Sequence, residues 1–477
     1  MGLRPYQTQI LGDVYQSQSR GNRRIMVQSA TGSGKSVLFR EIISHTIGRG
    51  GRTLLMAHRE ELITQAARHL ENVGIYSGII KAGYPSSPLL PCQVASVASL
   101  ARREKPQADL VVIDEAHHAT ANTYKKILEY YPTAQIVGFS ATPARLDGSG
   151  FKDLFDDLIC GPTIAELIRD GYLSRYKYYA GPQIDTTGVR TTGGDYNLKQ
   201  LAMAADKPKL LGDTVESWKR LAHGKQTIVF AVNVQHSKNV VESYRAEGIM
   251  AAHLDGTTPD EERRNILARF AEGEITVLSN CDIASEGFDL PAIECVQLLR
   301  PTKSLTLYLQ QVGRGLRPSP GKEFATILDH TSNWQTHGLP EEDRIWTLEG
   351  VTRTRDQKKS LEKACKGCGA IVPIAAQECP ECGYVFGGTK REIRQNRGVN
   401  LQEVSLPTNN IERLKYYLGF ARQKGYAKGW VIHRFLAIPR LTLDDLREAA
   451  KLLDYKPGWA YVKFEELNKG KTDPLPI

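Results

Sequence analysis

The chain has 477 residues, 41% of them hydrophobic, with 62 Lys and Arg against 53 Asp and Glu and a net charge of +9. That length exceeds one compact core and predicts two to four domains. No apolar stretch approaches the ~20 residues that a membrane-crossing helix needs, and the N-terminus MGLRPYQTQILGD lacks the charged-then-apolar order of a secretory leader. The expectation is a protein with no membrane association that stays in the cytoplasm, its positive charge favouring a polyanionic partner.

From Arg24 to Cys160, short Val/Ile/Leu-rich runs alternate with helical patterns: RRIMVQS, RTLLMAHR, QVASV, DLVVIDEA and QIVGFSAT. Continuous apolar runs separated by helices predict a parallel sheet covered on both faces. A Gly- and Thr-rich stretch, GPQIDTTGVRTTGGDYNLKQ, reads as a connection or inserted loop. The alternation then resumes with QTIVFAVN, MAAHLDG, EITVLSN, ECVQLLRP and ATILDH. The predicted organisation is one α/β domain over 1–180, a linker over 181–205 and a second α/β domain over 206–340. A cysteine-bearing module with basic flanks follows over 341–390, and a helical region over 391–477.

ATGSGKS, residues Ala30 to Ser36, lies between an apolar strand pattern and a helix pattern. A glycine-rich turn feeding a helix N-terminus presents backbone N–H groups and a helix dipole to an anion. Thr31, Gly32, Ser33 and Gly34 would form the cradle, Lys35 would reach the outer phosphates, and the Ser36 hydroxyl would ligate magnesium. The strict phosphate-loop pattern asks for Gly at position 29, where this chain has Ser29. VVIDEAHH puts Asp114 and Glu115 beyond the end of an apolar strand, where open α/β sheets bind ligands. Asp114 suits a magnesium contact and Glu115 suits orienting the attacking water. Alone, the acidic pair would read as a helix cap; beside a phosphate loop it reads as catalytic.

ATGSGKS, DEAH (Asp114 to His117) and SAT (Ser140 to Thr142) resemble motifs I, II and III of superfamily 2 helicases and translocases, in which the first glycine is commonly absent. LRPYQ resembles the adenine-reading motif, with Gln7 as base contact and Arg4 as helper. AHREELITQ and VASVASL resemble strand-contacting segments, implying nucleic-acid contacts from Arg59, Ser96 and Ser99. IVFAVNVQHS and LSNCDIASEGFDLP resemble motifs IV and V, implying contacts from Asn233 and Asn280 and a nucleotide-side role for Gly287 and Asp289. QQVGRGLRP fits motif VI, giving Gln310, Arg314 and Arg317. A guanidinium opposite the phosphates stabilises the transferring group, worth ~10³-fold or more in turnover. The resemblance covers roughly the first 335 residues and implies two tandem RecA-like domains that clamp ATP, with His117, Ser140 and Thr142 coupling hydrolysis to movement.

Cys365-x2-Cys368, ten residues and Cys379-x2-Cys382 have the two-knuckle spacing of a closed tetrahedral zinc site. The other four cysteines, Cys92, Cys160, Cys281 and Cys295, read as reduced core thiols. The tail repeats Tyr-x-x-Gly-Trp-x-x-x-(Arg/Lys)-Phe at Tyr426 and at Tyr455, a duplicated helical unit in which Trp430 and Trp459 read as core anchors. A superfamily 2 motor, a four-cysteine module and this tail resemble the RadD family of bacterial and phage-borne DNA-repair ATPases. That resemblance implies ATP, magnesium and zinc as cofactors and single-stranded, forked or branched DNA as substrate, with single-strand DNA-binding protein a candidate partner. Alternatives are the motor subunit of a restriction system, and a nucleic-acid-binding ATPase switch that does not unwind, including one acting on RNA.

Overall fold

The computed structural model of the chain describes residues 2–350 except 59, 86, 120–121, 146–149, 181–188, 193–194, 199, 202–207, 282–292, 332 and 343. It further describes 362–364, 371–373, 402–404 and 409–468 except 425–426, 439–440 and 457. The first lobe is built on seven strands: β1 (Arg24–Gln28), β2 (Thr53–Ala57), β3 (Ser77–Ile80), β4 (Cys92–Ser96), β5 (Leu110–Ile113), β6 (Gln135–Ser140) and β7 (Asp157–Cys160). They run parallel in the order β3-β4-β2-β5-β6-β1-β7. Alternation explains why the runs are apolar throughout. Ile25 and Val27 enter one core with Leu55, Val94 and Val112, while Met26 enters the other with Leu54, Ala95 and Val111. Helices α1 (Pro5–Ser19), α2 (Lys35–Gly48), α3 (Glu60–Glu71), α4 (Val97–Leu100) and α5 (Asn122–Glu129) complete this lobe.

After α6 (Ile164–Arg169), strand β8 (Arg175–Ala180) leaves the first lobe and joins the second sheet. The ladder β9 (Thr191–Thr192) and β10 (Asp195–Tyr196) follows. Then come α7 (Pro208–Leu221), β11 (Thr227–Phe230), α8 (Val234–Ala246), β12 (Ala251–Leu254), α9 (Asp260–Ala271), β13 (Val277–Asn280), β14 (Cys295–Leu298), α10 (Leu305–Gly315), β15 (Phe324–Asp329) and α11 (Asn333–His337). Strands β16 (Glu362–Ala364) and β17 (Ile371–Pro373) pair with each other, and β18 (Gln402–Val404) closes the second sheet, ordered β12-β13-β11-β14-β15-β8-β18. Only β18 is antiparallel in that sheet.

Two expected boundaries move. The first domain does not run to 180, because β8 pairs along its whole length with β15 of the second sheet. Nor is 181–205 a bare linker: Leu201 is buried with Val232 under Val189, Tyr196 and Leu198. Cys160 also departs from expectation, since it is exposed, whereas Cys92, Cys281 and Cys295 are buried. The four clustered cysteines, Cys365, Cys368, Cys379 and Cys382, lie outside the described residues.

The tail forms two helical hairpins, α12 (Asn410–Lys424) with α13 (Lys428–Leu436) and α14 (Leu443–Leu452) with α15 (Gly458–Asn468). Their shared core holds Leu414, Phe435, Leu446 and Ala460, and both Trp430 and Trp459 pack against it, as the repeat suggests. This unit docks on the second lobe through Trp334 beside Phe420 and through Arg434, whose Nη1 donates to Glu342 Oε2 at 2.6 Å. Among the described residues no helix is long and apolar enough to cross a membrane.

Burial pushes the imidazoles of His330 and His337 down from 6.5 to about 4, so both fold neutral. The Gln297 Nε2 amide at 3.2 Å from His330 Nε2 fits that state, with the neutral ring nitrogen accepting. The unfolded chain takes up these protons near pH 6.5 and the folded chain only near pH 4. Stability is therefore complete above the upper value and falls through that window by as much as ~3 kcal/mol per group. Urea unfolding of the second lobe at pH 7 and pH 5 should show this loss; equal midpoints would contradict it.

Candidate nucleotide site and inter-lobe seam

The phosphate loop joins β1 to α2. Gly34, the N-cap of α2, has φ +88°, and a Cβ there would lie 2.7 Å from Gln7 Nε2. Only glycine satisfies both constraints. Gln7 is held by the first turn of α1: its Oε1 accepts from the Arg4 amide at 3.0 Å and its Nε2 donates to Ser33 O at 3.3 Å. Tyr6 and Tyr172, which sequence reasoning missed, complete this corner. The Tyr6 hydroxyl donates to Ser33 O at 2.5 Å, its ring meets Tyr172 edge-on at 5.0 Å, and the Arg4 guanidinium lies 5.0 Å from the Tyr172 ring centre. Arg4 and Gln7 are thus brought to one polar and aromatic corner beside the loop.

At the other end of the loop, Lys35 Nζ lies 2.7 Å from Glu115 Oε1. Glu115 sits after β5 with φ +49° and ψ +54°, a left-handed conformation that costs a non-glycine residue of order 1–3 kcal/mol. Burial alone would raise its carboxyl, but the Lys35 ammonium and His117 outweigh that and hold it well below the usual carboxylate range. Asp114 precedes it, and its Oδ1 accepts from the Glu115 amide at 3.0 Å.

A chain of contacts leads from there to the second lobe. Glu115 Oε2 is 3.4 Å from His117 Nδ1, which lies 3.2 Å from Ser140 Oγ at the end of β6. Ser140 Oγ donates to Thr142 O at 3.0 Å and accepts from Thr142 N at 3.1 Å. With that hydroxyl proton committed to Thr142 O, the imidazole is the donor at Nδ1. Thr142 Oγ1 then meets Thr306 Oγ1, in the first turn of α10, at 2.6 Å. Thr306 carried no sequence signal.

Helix α10 lies directly against the loop. A Cβ at Gly313 would be 2.6 Å from Thr31 Cβ, and a Cβ at Gly32 would be 3.4 Å from Arg317 Cγ. Arg314 and Arg317 are three residues apart, but α10 ends at Gly315, so only Arg314 lies on it. Arg317 therefore reaches the loop from the turn beyond it, while Arg314 is buried within the helix. Gln310 is buried, with its Nε2 lacking a hydrogen-bond partner, as does Thr31 Oγ1. Unpaired buried polar atoms flanking a cationic glycine-rich loop fit a triphosphate. A hydroxyl at Ser36, in the first turn of α2, and a carboxylate at Asp114, just after β5, fit a hard divalent cation.

The expected nucleic-acid contacts fare less well. Asn280 is wholly buried, its Nδ2 donating to Val229 O at 2.8 Å, and Ser96 is buried at the end of β4. Asn233 caps α8, its Oδ1 accepting from His236 N at 2.7 Å. Ser99 remains partly accessible. Arg59, Gly287 and Asp289 lie outside the described residues.

Comparison with known proteins agrees with this geometry. The family "Type III restriction enzyme, res subunit" matches residues 1–145, "Helicase conserved C-terminal domain" matches 206–319, and "Uncharacterised protein family UPF0547" matches 363–387. A 51.5 kDa protein of a Lactococcus phage is 34% identical, covering 93% of this chain and 95% of its own. The putative ATP-dependent helicase IRC3 of Saccharomyces cerevisiae is 32% identical over 69% of this chain, which spans about half (51%) of the yeast protein. In fold, the chain is similar to a fragment of a putative HsdR subunit of a type I restriction enzyme from Vibrio vulnificus, with TM-score 0.56, 23% identity and coverage of 71% of this chain and 67% of that one.

The close approach at Gly313 generates a specific expectation. Gly313→Ala should favour the isolated helix yet force α10 away from Thr31, lowering ATP turnover at least tenfold while the chain stays folded. Steady-state ATPase assays with circular dichroism as the folding control check it. Wild-type turnover would show that the seam does not need this contact.

Proposed function

Because the chain belongs to the superfamily 2 helicases, an ATP-hydrolysing family, we propose that it is a DNA helicase or translocase whose two lobes are driven by ATP bound at the seam between them. The observation that carries this reading is the path Lys35–Glu115–His117–Ser140–Thr142–Thr306, which runs from the phosphate loop to the helix bearing Gln310 and Arg314. A change at the phosphates is felt at the second lobe through six side chains.

Each residue then has a role. Lys35 pairs with Glu115 and neutralises it. An entering triphosphate draws the ammonium to its outer oxygens, and the carboxylate, no longer paired, orients water towards the γ-phosphorus and accepts its proton. Arg314 and Arg317 stabilise the charge that spreads over the transferring group. Ser36 and Asp114 would hold magnesium, which would supply charge neutralisation to the phosphates. Arg4, Gln7, Tyr6 and Tyr172 form the adenine corner. Hydrolysis returns Lys35 to Glu115 and releases the clamp on α10.

DNA rather than RNA, and single-stranded, forked or branched DNA within that class, is supported by the resemblance of motor, cysteine module and tail to RadD-type repair ATPases. Zinc is proposed for Cys365, Cys368, Cys379 and Cys382 on their spacing, and single-strand DNA-binding protein remains a candidate partner. The match of residues 1–145 to a restriction-enzyme family favours one second reading, a motor that works with a separate nuclease. Co-purification of a DNA-cleaving subunit would select it.

The deciding experiment measures ATP hydrolysis alone and with single-stranded, duplex and forked DNA and with RNA. DNA should raise turnover strongly. Glu115→Gln should lose turnover by ~10²-fold or more while still binding ATP, and Lys35→Ala should lose both. Stimulation by RNA alone would reverse the substrate assignment, and no stimulation by any nucleic acid would end the motor reading. Elemental analysis of the reduced protein should find one zinc per chain; clearly substoichiometric metal would remove that cofactor.

A further inference from the structure

The stretch between the lobes is more than a connection. Thr191–Thr192 pair antiparallel with Asp195–Tyr196, in the register Asp195 with Thr192 and Tyr196 with Thr191. The ladder is closed by Asn197 N donating to Arg190 O at 2.8 Å and by Arg190 N donating to Gln200 Oε1 at 2.8 Å. It is pinned to the second lobe at two points. Val189, Tyr196 and Leu198 cover Val232, two residues past the end of β11. The Asp195 carboxylate accepts from Thr302 Oγ1 and from Lys303 N, each at 2.7 Å.

Those anchors place the ladder over the C-terminal ends of β11 and β14, three residues before Thr306 and its contact to Thr142 of the first lobe. This face of the second lobe is where Asn233 and Asn280 are expected from sequence to meet a nucleic-acid strand; Asn280 is turned inward and the Asn233 oxygen is engaged in capping α8. The side chains offered outward are different ones. Arg190, Thr191 and Lys303 are exposed. Lys303 Nζ is positioned by donating to Thr191 Oγ1 and by lying 4.7 Å from the Tyr196 ring centre. The Asp195 charge is taken up at the base of the ladder by an amide and a hydroxyl. Tyr196 is half-buried, with the ammonium over its ring.

We propose that Arg190, Thr191 and Lys303 form a phosphate-contacting surface that holds one strand of DNA on the second lobe, next to the seam. Two outward cations and a hydroxyl on a fixed backbone ladder suit phosphate oxygens and carry no base readout. The surface rests on the motor reading and gives it a grip in the lobe that moves. A strand held there shifts whenever Thr306 shifts, because Thr302 and Lys303 anchor the ladder to the start of α10.

The test uses the full chain and a fluorescein-labelled oligothymidine, with anisotropy followed over a salt series. Arg190→Gln/Lys303→Gln should weaken binding about tenfold near 0.1 M salt and flatten the slope of log affinity against log salt by about 1.4, two phosphate contacts at ~0.7 each. The oligonucleotide concentration giving half-maximal ATPase stimulation should rise in parallel. Lys303→Arg keeps the charge and should bind as the wild type does. If Lys303→Arg binds as weakly as Lys303→Gln, Lys303 serves only to hold the ladder and the proposal fails. Unchanged affinity and slope in the double variant overturn it as well, leaving the motor reading intact. A wild-type chain that neither binds the oligonucleotide nor responds to it removes the parent reading instead.

Discussion

The structure depends on a helix laid against a phosphate loop with almost nothing between them. Gly313 leaves room for Thr31, and any Cβ at Gly32 would meet the Arg317 side chain at 3.4 Å. Such proximity needs glycine at positions 32 and 313, and it brings the Arg317 side chain of one lobe against the loop of the other. It also leaves debts at the seam. Thr31 Oγ1 and Gln310 Nε2 are buried without partners, each costing ~1–3 kcal/mol, and Glu115 holds a left-handed backbone. A ligand rich in acceptor oxygens bound at the seam would pair with these donors and so would stabilise the closed arrangement of the lobes.

Among the described residues, two stretches of chain cross between the lobes. One contains α6 and leads into β8. The other, residues 339–350, leaves the second lobe after a turn clamped by Arg344, whose guanidinium donates to the carbonyls of His337, Leu339, Pro340 and Glu342. It then returns to the first lobe, where Leu348 O accepts from Phe151 N at 2.7 Å and Lys152 N at 3.0 Å and Glu349 pairs with Lys152. Two crossings restrain the lobes more than one flexible linker would.

How much of this was legible in the sequence follows from the range of each interaction. The phosphate loop, the acidic pair and the sheet class are local: they need only a strand, a turn and a helix in succession, and the order of residues from Arg24 to Ser36 states that. The duplicated tail is local too, since one hairpin is a repeat of its neighbour. β8 was misassigned because RYKYYA carries a strand's composition but no mark of which sheet it will join, a choice made by register against Phe324–Asp329. Asn233 and Asn280 both stand at strand ends, where a strand-contacting amide, a helix cap and a buried carbonyl partner look alike in one dimension. Thr306, Tyr6 and Tyr172 became visible only when residues distant in sequence met in space.

The tail enters the same mechanical unit through one carboxylate. Glu342 accepts from Leu339 N through Oε1 and from Arg434 Nη1 through Oε2, while its own carbonyl is gripped by Arg344. The acid therefore sits where the helical tail, the second lobe and the returning chain meet, and its side chain is only 6% exposed. A carboxylate so enclosed is tolerable while both oxygens are occupied and costly once either is released. Separation of the tail from the lobe would strand that charge at the root of the inter-lobe crossing. The same electrostatic penalty that keeps the tail seated thus ties the tail to the root of the second crossing.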